Sequence, residues 1–140
     1  MMWYTKQLIL HGAIVLLAGL CCGAPLGRAI VRADSEEKIR GWRVAHVSLL
    51  MGGILLLAVA GIADELRLSA LAQHLLVWPL VVASYGFAVV LPLAAHYGHR
   101  GLTPANPFLN RVIYVGNTIG AAGLIVGTLV LLWGAYGALE

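Results

Sequence analysis

Four long apolar runs divide the chain, at residues 7–27, 43–63, 71–95 and 112–139. A helix needs about 20 mostly apolar residues to cross the hydrocarbon core of a bilayer, so each run predicts one transmembrane helix. The connections between the runs are short, and consecutive helices are therefore expected to pack antiparallel. The pattern predicts an all-α integral membrane protein, a four-transmembrane-helix up-down bundle, with residues 1–140 in a single membrane domain.

Composition agrees with a chain that faces lipid. Hydrophobic residues make up 61% of the sequence and charged residues only 11%, whereas soluble domains carry about 25% charged residues. The net charge of +3 is interpreted as the lysine and arginine excess that flanks membrane helices. No basic run is interleaved with aromatic residues, so the sequence predicts no nucleic-acid partner.

The distribution of the basic residues predicts the orientation. Of the nine lysines and arginines, only Lys6 and Arg67 fall at the end of the bundle that carries the chain termini. The positive-inside rule places the other end in the cytoplasm and both termini in the periplasm, as a multi-pass protein of a bacterial inner membrane. Within the charged first connection, 28–42, Ser35 is expected to cap a short surface helix. The cytoplasmic basic residues are Arg28, Arg32, Lys38, Arg40, Arg43, Arg100 and Arg111.

Glycines in the last apolar run follow a helical period. Gly116, Gly120, Gly123 and Gly127 are spaced by four, three and four residues, which places them on one face of a helix. Lipid provides no hydrophobic force between helices, so close backbone approach is how membrane helices associate. The stripe predicts a packing surface, either within the bundle or between subunits.

Ionisable residues inside a membrane are costly, which makes the histidines candidates for function. His46 lies one turn inside the second predicted helix, with Arg43 three residues before it and Gly53 seven residues after it on the same face. A haem needs these groups in this order: a cation for the propionates, an axial nitrogen for iron, and flat space for the macrocycle. A histidine that is hydrogen-bonded to a neighbouring helix is equally compatible with the spacing.

Other polar residues reach a similar depth from the same side. Asn117 and Tyr114 lie in the first two turns of the fourth predicted helix, and Tyr85 lies deeper in the third. Tyr85 and His96 are eleven residues apart, which returns to nearly the same helix face. These positions predict a polar pocket that opens toward the cytoplasm, with ordinary interhelical hydrogen bonding as the alternative.

Three segments resemble the bacterial styrene oxide isomerases. Residues 41–46, GWRVAH, are similar to the Gly-Trp-x-x-Ala-His sequence that opens the second helix of that family. Residues 99–103, HRGLT, with Asn106 beyond them, are similar to the family's Asn-Arg-Gly-Leu-Thr loop and the asparagine that follows it. The pair His11-Gly12 matches a His-Gly pair in the first helix. The matches occur in order along nearly the whole chain.

The resemblance implies a homotrimeric four-helix enzyme that holds haem b between subunits. It identifies His46 as the axial iron ligand, and the spacing on the same helix face predicts Arg43 and Gly53 as further haem-binding residues. The ferric iron is expected to act as a Lewis acid on a lipophilic epoxide taken from the membrane lipid. Ring opening and a 1,2-hydride shift then give the aldehyde (a Meinwald rearrangement), and this requires an open sixth position on iron.

The chain departs from the family pattern at positions that bear on catalysis. The family has an asparagine six residues after the ligand histidine, where this chain has Gly52. The family's tyrosine and aspartate on the third helix have no clear counterparts, although Tyr85 lies a few residues away. We therefore hypothesise that Tyr85 and Asn117 supply the catalytic polar groups.

Two alternatives to an isomerase remain at this stage. The first is a haem-binding electron carrier or sensor without isomerase activity, in which His46 pairs with His96 or His11 pairs with His74 as bis-histidine ligands. The second is a small accessory or transport subunit with no cofactor, whose histidines are satisfied by hydrogen bonds.

Overall fold

A computed structural model describes residues 1–139 as four α-helices joined by short connections. They are α1 (Trp3–Val31), α2 (Glu36–Ala63), α3 (Ala70–Tyr97) and α4 (Phe108–Gly137). Each helix is long and apolar enough to cross a membrane. The predicted all-α, four-helix membrane fold is confirmed.

The helices are longer than the apolar runs that predict them, most clearly at the first connection. α1 continues to Val31 and α2 begins at Glu36, where the Ser35 hydroxyl accepts a hydrogen bond from the Lys38 amide at 3.4 Å. The prediction of a separate surface helix within 28–42 is wrong, although Ser35 does cap a helix. Hydropathy marks only the part of a helix that lies in hydrocarbon, and polar turns at either end escape it.

Close backbone contact joins α1 to α2 as an antiparallel hairpin. A Cβ atom added to Gly19 would lie 2.7 Å from the Leu50 amide nitrogen, and one added to Gly53 would lie 2.7 Å from the Leu16 amide nitrogen. Both glycines therefore mark points where the two backbones touch, as expected for helix association in lipid.

The glycine stripe of α4 packs against α3. A Cβ atom added to Gly120 would lie 2.6 Å from the Phe87 ring, and one added to Gly123 would lie 2.5 Å from the Pro79 carbonyl oxygen. Of the two interpretations that the sequence left open, packing within the bundle is the correct one for these positions.

α3 is the central helix of the subunit. It contacts α1, α2 and α4, whereas no Cα atom of α4 comes within 8 Å of α1 or α2 among residues 1–139. The space that α4 leaves beside α2 is an apolar groove of about 500 Å³. Its walls include Val47, Met51 and Gly52 of α2, Phe87 of α3, and Leu124 of α4.

The two ends of the bundle differ in charge. At one end Gly41 of α2 packs on Ala95 of α3, and Arg100 pairs with Glu37 at 3.3 Å. These contacts bring the first and third connections together, so the basic residues of both lie at the same end. At the opposite end, the Tyr4 hydroxyl donates to the Ala63 carbonyl at 3.2 Å.

Candidate functional site

His46 is held by the backbone of α1. Its Nδ1 atom lies 2.8 Å from the carbonyl oxygen of Gly19, and the side chain is half-buried. A carbonyl oxygen can only accept a hydrogen bond, so Nδ1 carries the proton. The neutral ring therefore has its lone pair on Nε2, the form that binds a metal ion.

The Nε2 atom of His46 is at least partly accessible. It has no hydrogen-bond partner among the described residues, and every buried side-chain nitrogen in that part of the chain has one. Nε2 is thus not fully buried, and its lone pair is unused within the described residues. A lone pair without a partner at membrane depth is costly, which favours a ligand from outside the subunit.

The absence of a side chain at Gly23 allows the His46 imidazole to pack against α1. A Cβ atom added to Gly23 would lie 3.3 Å from Cε1 and 3.4 Å from Nδ1 of His46, which is tighter than most contacts of a real Cβ. Sequence reasoning missed the contribution of α1 to this site. The signal that predicts it is the Gly-x-x-x-Gly spacing of Gly19 and Gly23, which is typical of close helix contacts in membranes.

Arg43 is available to an anionic group near His46. It is exposed, it lies one turn from His46, and it forms no ion pair within residues 1–139. Arg40, one turn further toward the basic end, is likewise exposed and unpaired in the described chain. This is the charge that carboxylates at the membrane surface require.

Gly53 does not provide the open space expected of it. Gly53 lies on the same face of α2 as His46, and this face is directed toward α1. Leu16 of α1 occupies the space that a side chain at Gly53 would need. The prediction that Gly53 leaves flat room for a macrocycle is therefore wrong in this fold, since the position is a helix contact.

Tyr85 lies on the side of α3 that faces α1. Its hydroxyl is 2.9 Å from Nδ1 of His11, and the His11 ring centroid is 6.3 Å from that of Trp78. The next residue, Gly86, instead approaches the Gly116 carbonyl oxygen of α4. Tyr85 is therefore directed away from the α4 residues with which it was expected to form a pocket.

The predicted cytoplasmic pocket is not assembled within the subunit. The Asn117 side-chain amide lies 3.4 Å from the carbonyl oxygens of Arg100 and Gly101, so it ties α4 to the third connection. His96 is exposed and stacks edge-on against Tyr97. The prediction that these residues line one pocket with Tyr85 is wrong, and interhelical and loop hydrogen bonds account for the contacts described.

The histidine pairs of the electron-carrier alternative are not joined in the described chain. His74 accepts a hydrogen bond at Nδ1 from the Trp78 indole at 3.2 Å, so its proton is on Nε2 and neither nitrogen offers a free lone pair. No described contact links His46 to His96. Residues 1–139 also contain no cluster of three or more metal-binding side chains.

The third connection is ordered by residues that the sequence analysis did not single out. The Asn110 side chain accepts from the Gly101 amide at 3.0 Å and donates to the Thr103 and Ala105 carbonyls. Gly101 has φ of 56°, and a Cβ atom there would lie 2.5 Å from Ile113. Only glycine satisfies both conditions, which explains its position in the HRGLT segment.

Comparison of the sequence with protein-family models matches residues 4–136 to the family described as styrene oxide isomerase. No curated protein and no solved structure gives a significant match to the chain. The matched range contains the His11-Gly12 pair, the GWRVAH segment that ends at His46, and the HRGLT segment. Because the match spans nearly all of the sequence, the chain belongs to the styrene oxide isomerase family.

Proposed function

We propose that this chain is a haem-b-dependent membrane isomerase that converts a lipophilic epoxide into an aldehyde. Membership of the styrene oxide isomerase family supports an isomerase. The observation that supports the haem assignment is the state of His46, whose Nδ1 is bound to the Gly19 carbonyl while Nε2 has no partner among the described residues.

His46 and Arg43 have the donor chemistry that a haem requires. Metal-binding histidines almost always donate their second nitrogen to a carbonyl, a carboxylate or water, and His46 already does so before any metal is considered. Arg43, exposed on the same face, is suited to pair with a propionate. When bound, ferric haem supplies a Lewis acid with an open position for an epoxide oxygen.

The reaction is an isomerisation, so the protein has no co-reactant to bind. One C–O bond of the epoxide breaks, a hydride migrates with its electron pair to the neighbouring cationic carbon, and the remaining C–O bond becomes a carbonyl. No atom is gained or lost. The side chains around the substrate mainly need to exclude water, because water would add to the carbocation and give a diol instead of the aldehyde.

The apolar groove beside α2 suits the substrate class. It measures about 500 Å³ and has mainly apolar walls, within the range of pockets that enclose small ligands. Its residues lie in the membrane-spanning parts of the helices, so a lipophilic epoxide reaches it from the bilayer. Gly52, at the position of the family's asparagine, makes this wall apolar.

The groove and His46 lie on different faces of α2. At about 100° per residue, the groove residues of α2 centre roughly half a turn away from His46. A cyclic assembly brings one face of a subunit against a different face of the next. This geometry is compatible with the homotrimer that the family resemblance implies, with the His46 face of one copy against the groove of its neighbour.

The distribution of charge supports the membrane location, and the described contacts bear on the catalytic hypothesis. The inner-membrane location, with both termini periplasmic, follows from the basic residues gathered at one end of the bundle. The hypothesis that Tyr85 and Asn117 are catalytic is not carried into this proposal, because their described contacts are with His11 and with the third connection.

Absorption spectroscopy tests the proposal. Protein purified after haem supplementation should show a Soret band and a high-spin or water-ligated ferric spectrum, and should convert styrene oxide into phenylacetaldehyde. His46→Ala should reduce haem content at least about tenfold, whereas His96→Ala, the matched control, should retain it because His96 is exposed and stacks only on Tyr97.

Each other outcome contradicts a defined part of the proposal. A colourless wild-type protein contradicts haem binding and favours the accessory-subunit alternative. A low-spin ferric spectrum without turnover favours the electron carrier, since both axial positions would then be filled. Haem retained in His46→Ala contradicts the ligand assignment.

A further inference from the structure

We propose that Gly19 and Gly23 of α1 are positioning residues for the haem ligand, which they orient through backbone contacts alone. The inference rests on the proposed haem-binding function of His46. The carbonyl of Gly19 determines which nitrogen of the His46 ring carries the proton. The absence of a side chain at Gly23 determines how closely that ring approaches α1.

The contact of Gly19 depends on its lack of a side chain. A Cβ atom there would lie 2.7 Å from the Leu50 amide nitrogen, so only glycine allows α1 to come this close to α2. That approach brings the Gly19 carbonyl oxygen to 2.8 Å from Nδ1 of His46. The hydrogen bond therefore results from helix packing and needs no dedicated polar side chain.

The type of acceptor matters for the chemistry at Nε2. A carboxylate partner draws the Nδ1 proton away and makes the imidazole a stronger electron donor. A neutral carbonyl draws the Nδ1 proton less strongly. The imidazole then donates electrons to a metal at Nε2 less strongly than it would with a carboxylate partner. A weaker donor leaves a ferric iron more electron-poor, which is what a Lewis acid requires.

Gly23 acts on the same ring from one turn further along α1. In a regular α-helix its amide donates to the Gly19 carbonyl, so the oxygen that holds His46 is also fixed by Gly23. The open side of Gly23 lets Cε1 and Nδ1 of His46 lie where a methyl group would be 3.3–3.4 Å away. An added methyl group would move the ring by a few tenths of an ångström.

A matched pair of glycine variants tests this inference. Gly27 lies one turn beyond Gly23 on α1, and a Cβ atom added to it would meet nothing within 4 Å. Both Gly23→Ala and Gly27→Ala should bind haem to within about twofold of the wild type, since neither removes the ligand. Only Gly23→Ala should change the Fe–N(His) stretching frequency in the resonance Raman spectrum and the ferric electron paramagnetic resonance signal.

An unchanged spectrum in folded, haem-loaded Gly23→Ala would overturn the role of Gly23. Should that variant fail to assemble, His46→Nδ1-methylhistidine removes the donated proton while Nε2 stays free. It should lower the Fe–N(His) frequency, and an unaltered frequency would overturn the role of the Gly19 carbonyl.

A measurement without haem separates this inference from the proposed function. Nitrogen-15 NMR of the haem-free protein should show the His46 ring protonated at Nδ1. Protonation at Nε2 would refute the Gly19 contact whether or not the protein binds haem. Conversely, a protein with the Nδ1 proton that takes up no haem would refute the haem proposal and leave no ligand to position.

Discussion

Two histidines that contact other helices through Nδ1 differ in what they contact. His46 of α2 is bound to the backbone carbonyl of Gly19, and His11 of α1 is 2.9 Å from the hydroxyl of Tyr85. A carbonyl only accepts, whereas a hydroxyl both donates and accepts, so the proton position is fixed in His46 and free in His11. His74, bound to the Trp78 indole, is fixed in the opposite sense.

This difference separates a histidine that is free to bind a metal from histidines whose ring nitrogens already have partners within the chain. His46 has a lone pair on Nε2 that no described residue uses. His11 already has a partner in the tyrosine of a neighbouring helix, and His74 has its lone pair occupied. The depth of a histidine in the membrane does not distinguish these cases, but the chemistry of its partner does.

The largest effect is expected when the imidazole ring of His46 or of His11 is removed and free imidazole is added to the buffer. His46→Gly should lose haem by at least about tenfold, and free imidazole in the buffer should restore the Soret band by occupying the vacated ligand position. His11→Gly should keep its haem. A Soret band that depends on added imidazole in His11→Gly, or that does not return with imidazole in His46→Gly, would contradict the distinction between the two histidines.

An intermediate effect is expected at the third connection, which lies at the same end as His46. Gly101→Ala forces both a left-handed conformation and a clash with Ile113, and should lower the free energy of unfolding by about 2–4 kcal/mol. Gly98→Ala is the control, with φ of 72° and open space around it, and should cost about 1–2 kcal/mol.

Thermal unfolding in detergent, followed together with the haem spectrum, measures this difference. Whatever haem-loaded protein remains in either glycine variant should have the wild-type spectrum, because α1 holds His46 and the loop does not contact it. A shifted spectrum in Gly101→Ala would show that the loop also positions the ligand.

The smallest effect is expected from the partner of His11. Tyr85→Phe removes one interhelical hydrogen bond, worth about 0.6 kcal/mol in a membrane, and should change turnover of styrene oxide by less than about threefold. The hypothesis that Tyr85 is catalytic requires a far larger loss of turnover. The ratio of kcat in Tyr85→Phe to that in the wild type decides between them.

The fold was largely predictable because lipid imposes a simple pattern. Apolar runs identified the four helices, and short connections identified their antiparallel packing. The stripe that includes Gly120 and Gly123 was recognised as a packing surface, but its partner was not. Many faces of a membrane helix have similar hydropathy, so the sequence does not specify which of them meets α3.

The site was predictable only where a side chain carries the information. His46 and Arg43 stood out because charged and titratable groups are rare in a span. The Gly19 carbonyl did not, since every residue has one and only the packing of α1 on α2 selects it. Tyr85 and Asn117 were grouped by depth, yet rotation about the helix axes gives them different partners.

Gly19 and His46, which form a hydrogen bond, are only 27 residues apart in the sequence. Both groups belong to the first hairpin, so a nascent polypeptide that ends after α2 already contains the whole of this contact. The apolar groove, by contrast, needs α3 and α4 for its other walls. During synthesis His46 can therefore make its contact with α1 before the groove on the other face of α2 exists.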